Sequence, residues 1–508
     1  RWLENRDAED VLAYLKAENA YLEEQLADQA ELREALFQEI KGRIRETDLS
    51  LPAPWGPWLY YQRTTAGDEY PRHYRCPRPL DGSLTVDESA EQLLLDPNEL
   101  AGGGFLSLGA FSVSQDHSKL AYSLDREGDE IYRLYVKDLA SGAVTELPFD
   151  NCDGSMTWAN DSQTLFYGEL DDTHRPHKIY RHRLGDTDSS EVYHDPDGRF
   201  FVHCYRAGSE RQLVILSHSK TTSEAWVLSA DQPEGSWTCL APRQEDHEYF
   251  PDHGLYEGQW RWLIRSNQAG INFALYYASE TEPGREHWQE LVPHDDAVML
   301  EDVSLNAEAI TLTLRASGLP VIEVRPQGVQ PYRLQLPDAA YSLHVQNSLE
   351  FTSTVIRLRY EALNRPAQIR QLTLADGTQE VLKETPVEGP FDADAYESRR
   401  IWATAWSAAA TASASPHRST STVTAPTAIA WTPGSPTRGC RCSTAASSSP
   451  SPMCVAAAIS ARPGTAPASW SISRTPSAIS SPVPSSCWPT VTPHRRAWPS
   501  AAAVPAAC

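Results

Sequence analysis

A unit spanning residues 109–142 recurs along the chain, and that recurrence limits the possible folds more than any other feature. Within it Phe111 and Val113 alternate with polar neighbours, a turn follows over 115–118, and Leu120 and Tyr122 resume the alternation. A polar loop over 125–130 leads to Tyr132, Leu134 and Val136, again at every second position, and Ser141 and Gly142 form an exit turn. Apolar residues at period two between Gly, Asp and Ser turns are antiparallel strands joined as hairpins. Three or four such strands in about 33 residues match one blade of a β-propeller.

The second unit opens at Asp153, Gly154 and Ser155 and runs through Trp158 to a turn at Asn160 and Asp161. Leu165, Phe166 and Tyr167 follow, then Lys178, Ile179 and Tyr180. Weaker units cover 200–228, 260–277, 303–324 and 342–374. Corresponding points fall about every 40 to 50 residues, the range of propeller repeats. Six units plus the segment 58–95 predict seven blades, with six as the other count. A β-sandwich does not repeat in this way. The fold class is mainly β: a propeller over 58–390, preceded by a helical arm over 1–50.

The arm is read from residues 7–45. Val11, Leu15, Leu22 and Leu26 share one helix face, and Leu36, Ile40 and Ile44 a second, with a break near 28–31. Its polar face is acidic, which argues against a membrane-surface helix. Pro52, Pro54 and Pro57 end it.

Composition divides the chain. All 68 acidic residues lie at or before Glu397, and the last lysine is Lys383. The net charge of −24 therefore understates the acidity of the first 397 residues. That charge argues against nucleic acid as a partner, because binding phosphates needs basic patches. No apolar run is long enough to cross a membrane. Cys76, Cys152, Cys204 and Cys239 are widely spaced, with neither metal-ligand nor disulfide-framework spacing. They point to the reducing cytoplasm, and a chain that starts at Arg1 leaves the periplasm open.

No residue earns a catalytic, cofactor-binding or metal-binding assignment. His174, Arg175 and His177 fit a hairpin loop better than a cluster. The loop 125–130 lacks calcium-loop spacing and reads as a solvated hairpin. Asp231, Asp246, His247 and His253 share no motif.

Other strings are family-specific. Arg1-Trp2-Leu3-Glu4 before a helical arm resembles the opening of prolyl oligopeptidase family chains, with the first residues missing. Tyr60-Tyr61-Gln62-Arg63-Thr64, Leu94-Leu95-Asp96-Pro97-Asn98-Glu99 and residues 109–139 are similar to the oligopeptidase B (protease II) branch. So are Tyr396-Glu397-Ser398 and Ile401-Trp402-Ala403-Thr404-Ala405, within 391–405, where that family's chain passes from propeller to hydrolase domain. The resemblance covers about 1–405. It implies a propeller capping an α/β-hydrolase domain, and a serine peptidase that cuts short peptides after Lys or Arg.

Such chemistry needs a Ser on a Gly-x-Ser-x-Gly elbow, a His base and an orienting Asp. The segment 406–508 has no carboxylate, and its glycines, Gly434, Gly439 and Gly464, bracket no Ser. GC-rich codons read out of frame yield Ala, Arg, Pro, Ser and Gly in this way. Back-translated with freely chosen codons and read two bases on, 452–465 gives D-V-R-G-G-G-D-L-G-E-T-W-Y, a string of the family's catalytic domain. Treated alike, 411–419 gives D-G-V-R-I-P-A-S-L, 470–488 a further family-like string, and 501–508 the elbow G-x-S-A-G-G-L. The reading is a one-base or two-base indel between about Thr404 and Ala410. It leaves 406–508 as a disordered out-of-frame tail, too poor in large aliphatics to offset ordering entropy. The expectation is an oligopeptidase B-like serine endopeptidase, inactive in this form for want of its catalytic domain. The alternative is a stand-alone propeller that binds peptides or proteins.

Overall fold

The computed structural model describes residues 2–346, 348–403 and 454–461. Two helices come first, α1 (Glu9–Gln25) and α2 (Ala30–Lys41), joined by a single tight turn over Ala27–Gln29. The break thus falls where the sequence placed it. The helix faces are another matter. Val11 is the one buried residue of α1 and α2, while Leu15 and Leu22 are about half exposed and Leu36 and Ile40 nearly so.

Seven antiparallel sheets follow, each built from chain-consecutive strands. Their first strands are Asp48–Leu49 continued by Ala53–Trp55 in blade 1, Ser107–Val113 in blade 2 and Cys152–Trp158 in blade 3. Phe201–Arg206, Tyr249–Tyr256, Val298–Leu305 and Tyr341–Gln346 open blades 4 to 7. The first strands of blades 2, 3 and 4 pack on one another in turn, as do those of blades 5 and 6, on the axial side, whereas a fourth strand such as Val144–Glu146 is fully exposed at the rim. The seven-bladed β-propeller is the observed architecture. Blade 1 begins at Asp48, ten residues before the expected start, because Pro52 splits its innermost strand into two short pieces that resist recognition by alternation.

The turn between the first and second strands explains why the repeat was legible. In blade 2, Asp116 Oδ1 accepts from Ser118 N at 3.0 Å, Ser118 Oγ at 2.8 Å and Ser114 Oγ at 2.6 Å. In blade 3, Asp161 Oδ1 accepts from Gln163 N and Thr164 N, and its Oδ2 from Thr164 Oγ1. The next residues, His117 and Ser162, take φ of 58° and 54°. Asp side chains that organise a tight turn and tolerate such neighbours are the turn residues expected by mechanism. Burial pushes the Asp116 carboxyl up, but the hydroxyl and N–H donors outweigh it and hold it at about 2.

Apolar side chains on both faces of the sheets of blades 2 to 6 pack against the neighbouring blades. Val214, Ala225 and Leu240 of blade 4 meet Tyr249, Trp262 and Ile264 of blade 5 in one apolar cluster. Equivalent clusters join blades 1 and 2, 2 and 3, 3 and 4, 5 and 6, and 6 and 7. Each fully buried aliphatic or aromatic side chain contributes roughly 1.5–3 kcal/mol.

The segment from Ala395 forms a separate unit. There Tyr396–Ala403 pairs antiparallel with Cys454–Ala461. That second strand lies inside the stretch expected to lack regular structure. Its run Val455, Ala456, Ala457, Ala458, Ile459 is free of Pro and fits a pleated partner. The rest of 406–508 lies outside the described residues.

Candidate functional site

A cavity of about 530 Å³ opens where the first strands of blades 2, 3 and 4 converge. Gly109, Ala110, Phe111 and Ser112 line it from blade 2, residues 153–157 from blade 3, and Cys204 from blade 4, with Tyr132 between. Two glycines give Tyr132 its place. A Cβ on Gly109 or on Gly154 would stand 2.8 Å from the Tyr132 ring, too close for any other residue. Gly154 also has φ of 85°, which favours glycine by itself. Tyr132 N donates to Cys152 O at 3.0 Å, and Ser123 Oγ donates to Gly154 O at 2.7 Å, tying blades 2 and 3 beside the cavity.

Asp153 supplies the charge. Its side chain is 9% exposed and lies against Gly168, where a Cβ would meet the carboxylate at 2.6 Å. Ser155 N and Ser155 Oγ donate to Oδ1 at 2.9 and 2.7 Å. The neighbour of Oδ2 is His203 Nδ1 at 3.9 Å, beyond hydrogen-bond range. Burial pushes the Asp153 carboxyl up, against the pull of the Ser155 donors and His203. It also pushes up the thiols of Cys204 and, to about 12, Cys152. Both cysteines are therefore inert thiols rather than nucleophiles. A second axial carboxyl, Asp252 in blade 5, accepts from Gly208 N at 2.7 Å and His253 N at 2.8 Å. Burial pushes it up to about 6, and Asp302 adds to the shift.

The loop 125–130 is a solvated hairpin, as expected: residues 126–130 are exposed, and the buried member is the last residue of the preceding strand. Asp125 is buried, and its carboxylate accepts from Glu127 N, Gly128 N and Glu130 N at 2.8–3.1 Å. Burial pushes its carboxyl up, but these donors prevail and hold it below the usual range. Of the stretch 174–177 read as a hairpin loop, His174 and Arg175 lie in the turn 171–175, whereas Pro176 and His177 begin the strand Pro176–Arg183. Arg175 is buried there, donating to Asp171 Oδ2 at 2.8 Å and to Phe200 O at 2.6 Å, which anchors blade 3 to the approach of blade 4. His247 and His253 are buried packing residues, and Asp231 and Asp246 do not join them in one site. Among the described residues no group of three or more His, Cys, Asp or Glu could hold a metal ion. The hydrolase-like strings at 411–419, 470–488 and 501–508 lie outside the described residues, as do 452–453 and 462–465 of the fourth.

Sequence reasoning missed Asp153 and Tyr132 as partners. The available signal was glycine inside strand patterns, at 109, 154 and 168, which marks a close approach.

Residues 1–385 match the family described as prolyl oligopeptidase, N-terminal beta-propeller domain. The chain belongs to the prolyl oligopeptidase family. It is 32% identical over 420 residues to dipeptidyl aminopeptidase BI of Pseudoxanthomonas mexicana, covering 80% of this chain and 57% of that protein. Protease 2 of Moraxella lacunata is 27% identical over 410 residues, covering 79% and 58%. Among solved structures, oligopeptidase B from Trypanosoma brucei with covalently bound antipain superposes with a TM-score of 0.72 at 28% identity, over 80% of this chain and 58% of that one. Oligopeptidase B from Leishmania major gives 0.73 at 25%, over 79% and 57%. The chain thus spans less than three fifths of the length of these relatives. Among the described residues no helix is long and apolar enough to cross a membrane.

Proposed function

We propose that this chain is the propeller part of an oligopeptidase B-like serine endopeptidase of the cytoplasm, whose intact form cleaves short peptides after Lys or Arg. The observation that carries the reading is the seven-bladed ring with acidic groups, Asp153 and Asp252, on its axial strands. Carboxylates carried on the axial strands favour short cationic chains over acidic ones. The likeness to the oligopeptidase B structures supports the branch. We further propose that the chain in this form is inactive. From Ser398 onward it has no Asp or Glu to orient a His base and no Gly-x-Ser-x-Gly elbow. The out-of-frame reading accounts for both deficits with one lesion.

The test has two arms. The purified chain is assayed on arginyl and lysyl amides, and the coding DNA is re-read across codons 400–412 and beyond 508, with the frame restored by one or two bases. The expected outcome is no turnover by the chain, and hydrolysis by the restored product that a serine-directed covalent inhibitor blocks. Inhibitor-sensitive turnover by the unrestored chain overturns the frame argument. A restored frame without a hydrolase motif moves the stand-alone binding propeller to first place.

A further inference from the structure

The cavity beside Tyr132 has the composition of a cation site. We propose that it holds one cationic side chain of a peptide, a guanidinium or ammonium group seated between the face of Tyr132 and Oδ2 of Asp153. The inference rests on the reading of the propeller as a passage for peptides and adds a subsite to it.

Three observations converge. Asp153 is nine-tenths buried, and both hydrogen bonds to its carboxylate go to Oδ1, so Oδ2 keeps its full accepting capacity. A carboxylate oxygen that accepts no hydrogen bond within a mostly buried side chain is a ready partner for a charged donor from a ligand. Tyr132 contributes a ring wall, held by two glycines that leave no room for a Cβ. An aromatic face beside a carboxylate is the pairing that recognises ammonium and guanidinium groups. The remaining walls carry no competing cation. Gly109, Ala110, Phe111, Met156 and Thr157 are neutral, and Thr157 spends its hydroxyl on Cys204 O at 3.0 Å. The volume of about 530 Å³ accommodates an arginyl or lysyl side chain together with its peptide unit. Of nearby titratable groups, His203 is the one basic side chain facing Oδ2, and at 3.9 Å it leaves the oxygen unclaimed.

The site is tested by calorimetric titration of the 508-residue chain with acetyl-arginine methylamide and with its citrulline counterpart, which has the same shape and no charge. The expected result is a preference for the arginine probe of about tenfold or more, the scale of one charge-assisted contact. Asp153→Asn is expected to abolish the preference. Tyr132→Leu should weaken arginine binding several-fold, and Glu31→Gln, on the exposed helix α2 away from the cavity, should leave it unchanged. Equal affinity for the two probes, binding of neither, or a preference that survives Asp153→Asn overturns the proposal. Those results leave the peptidase reading intact, because hydrolysis by the frame-restored product tests it separately. Should Asp153→Asn fail to fold by circular dichroism, the two-probe comparison on the unsubstituted chain and the Tyr132→Leu variant still decide.

Discussion

Six of the seven contacts between neighbouring blades are built from aliphatic and aromatic side chains, and the seventh is built from charge. Between blades 4 and 5, Val214, Ala225, Trp262 and Ile264 are all within 1% of complete burial. Between blades 7 and 1, no hydrophobic cluster spans the gap among the described residues. Leu59, Tyr61 and Cys76 of blade 1 pack among residues of their own blade. The seam is bridged instead by Lys383 Nζ to Asp48 Oδ2 at 2.5 Å, Arg357 Nη2 to Pro52 O at 2.5 Å, and Glu350 Oε1, which accepts from Arg78 at 2.9 Å and Gly56 N at 3.0 Å. No strand is shared across it. The segment after α2 adds one bridge, Ile44 with Val387, and the pair Arg45–Glu388. The difference teaches that the ring is held by two kinds of force. Apolar burial is insensitive to salt and proportional to area. Partly exposed ion pairs are screened and weak, with medians near 0–1 kcal/mol. The seam is therefore the place where this ring opens first.

The largest effect expected is in the apolar class. Trp262→Ala should destabilise the propeller by about 3–5 kcal/mol, as for other buried aromatic truncations, read as a shift of the urea midpoint. A shift near zero would erase the contrast between interfaces.

Acid should attack the apolar class next, because that is where the buried histidines sit. His73 stacks on Phe111 at 4.4 Å across blades 1 and 2. His247 receives Arg285 Nη2 at 2.9 Å on Nδ1 and so donates from Nε2 to Ser266 Oγ at 2.8 Å, a neutral tautomer fixed by its partners. Burial pushes both down to about 4. A depressed folded-state pKa means that the unfolded chain takes up the proton first. The stability from these two groups is complete above about pH 6.5 and is lost as pH falls toward 4, at most about 2 kcal/mol each by pH 5. Asp252 opposes them. Its folded pKa of about 6 lies above the ordinary 3.8, so its contribution is complete below 3.8 and lost as pH rises through 6. Melting curves from pH 7.5 to 5 should fall for the chain, fall less for His247→Gln, and fall more for Asp252→Asn.

The seam should answer to salt more than to acid. Arg357→Ala removes a charged donor to a backbone carbonyl, a loss of about 1–2 kcal/mol for a partly exposed contact. Hydrogen exchange should then quicken in Asp48–Leu49, Ala53–Trp55 and Gln379–Glu384 while Gln259–Ser266 in blade 5 is unchanged. Raising salt from 0.05 to 0.5 M, values chosen to span the range of strong screening, should reproduce the same local pattern in the unsubstituted chain. Uniform quickening would mean that the seam is no weaker than its neighbours. The smallest effect is expected outside the ring. Leu22→Ala, on a residue 56% exposed, should change stability by no more than about 0.5 kcal/mol.

The blades were legible because their signals are local. Alternation at Leu120 and Tyr122, or at Leu134 and Val136, is a property of one strand, and the turns at Asp116 and Asp161 are built within a few residues. The helix break was legible for the same reason. The split first strand of blade 1 was not, since Pro52 and Pro54 erase its alternation and pairing with Trp58–Thr64 restores it only in three dimensions. The face of α1 was legible as a pattern but not as an interface: Leu15 and Leu22 sit at helical spacing and still face outward among the described residues.

The candidate site lay beyond local reasoning. Asp153 and Tyr132 are 21 positions apart, on different blades, and Gly109 and Gly168 matter to them through the absence of a side chain. Charge behaves likewise: Lys383 and Asp48 meet across 335 positions. The sequence by itself determined the repeat, the mainly β class, the arm, the family resemblance and the loss of every carboxylate after Glu397. Those are matters of period, motif and composition, which a linear chain carries in full. Only the tertiary structure decided which interfaces are greasy and which is ionic, which carboxylate keeps an unclaimed oxygen, and which histidines are neutral. Each of these depends on what closes around a side chain, and closure is made by residues distant in the chain.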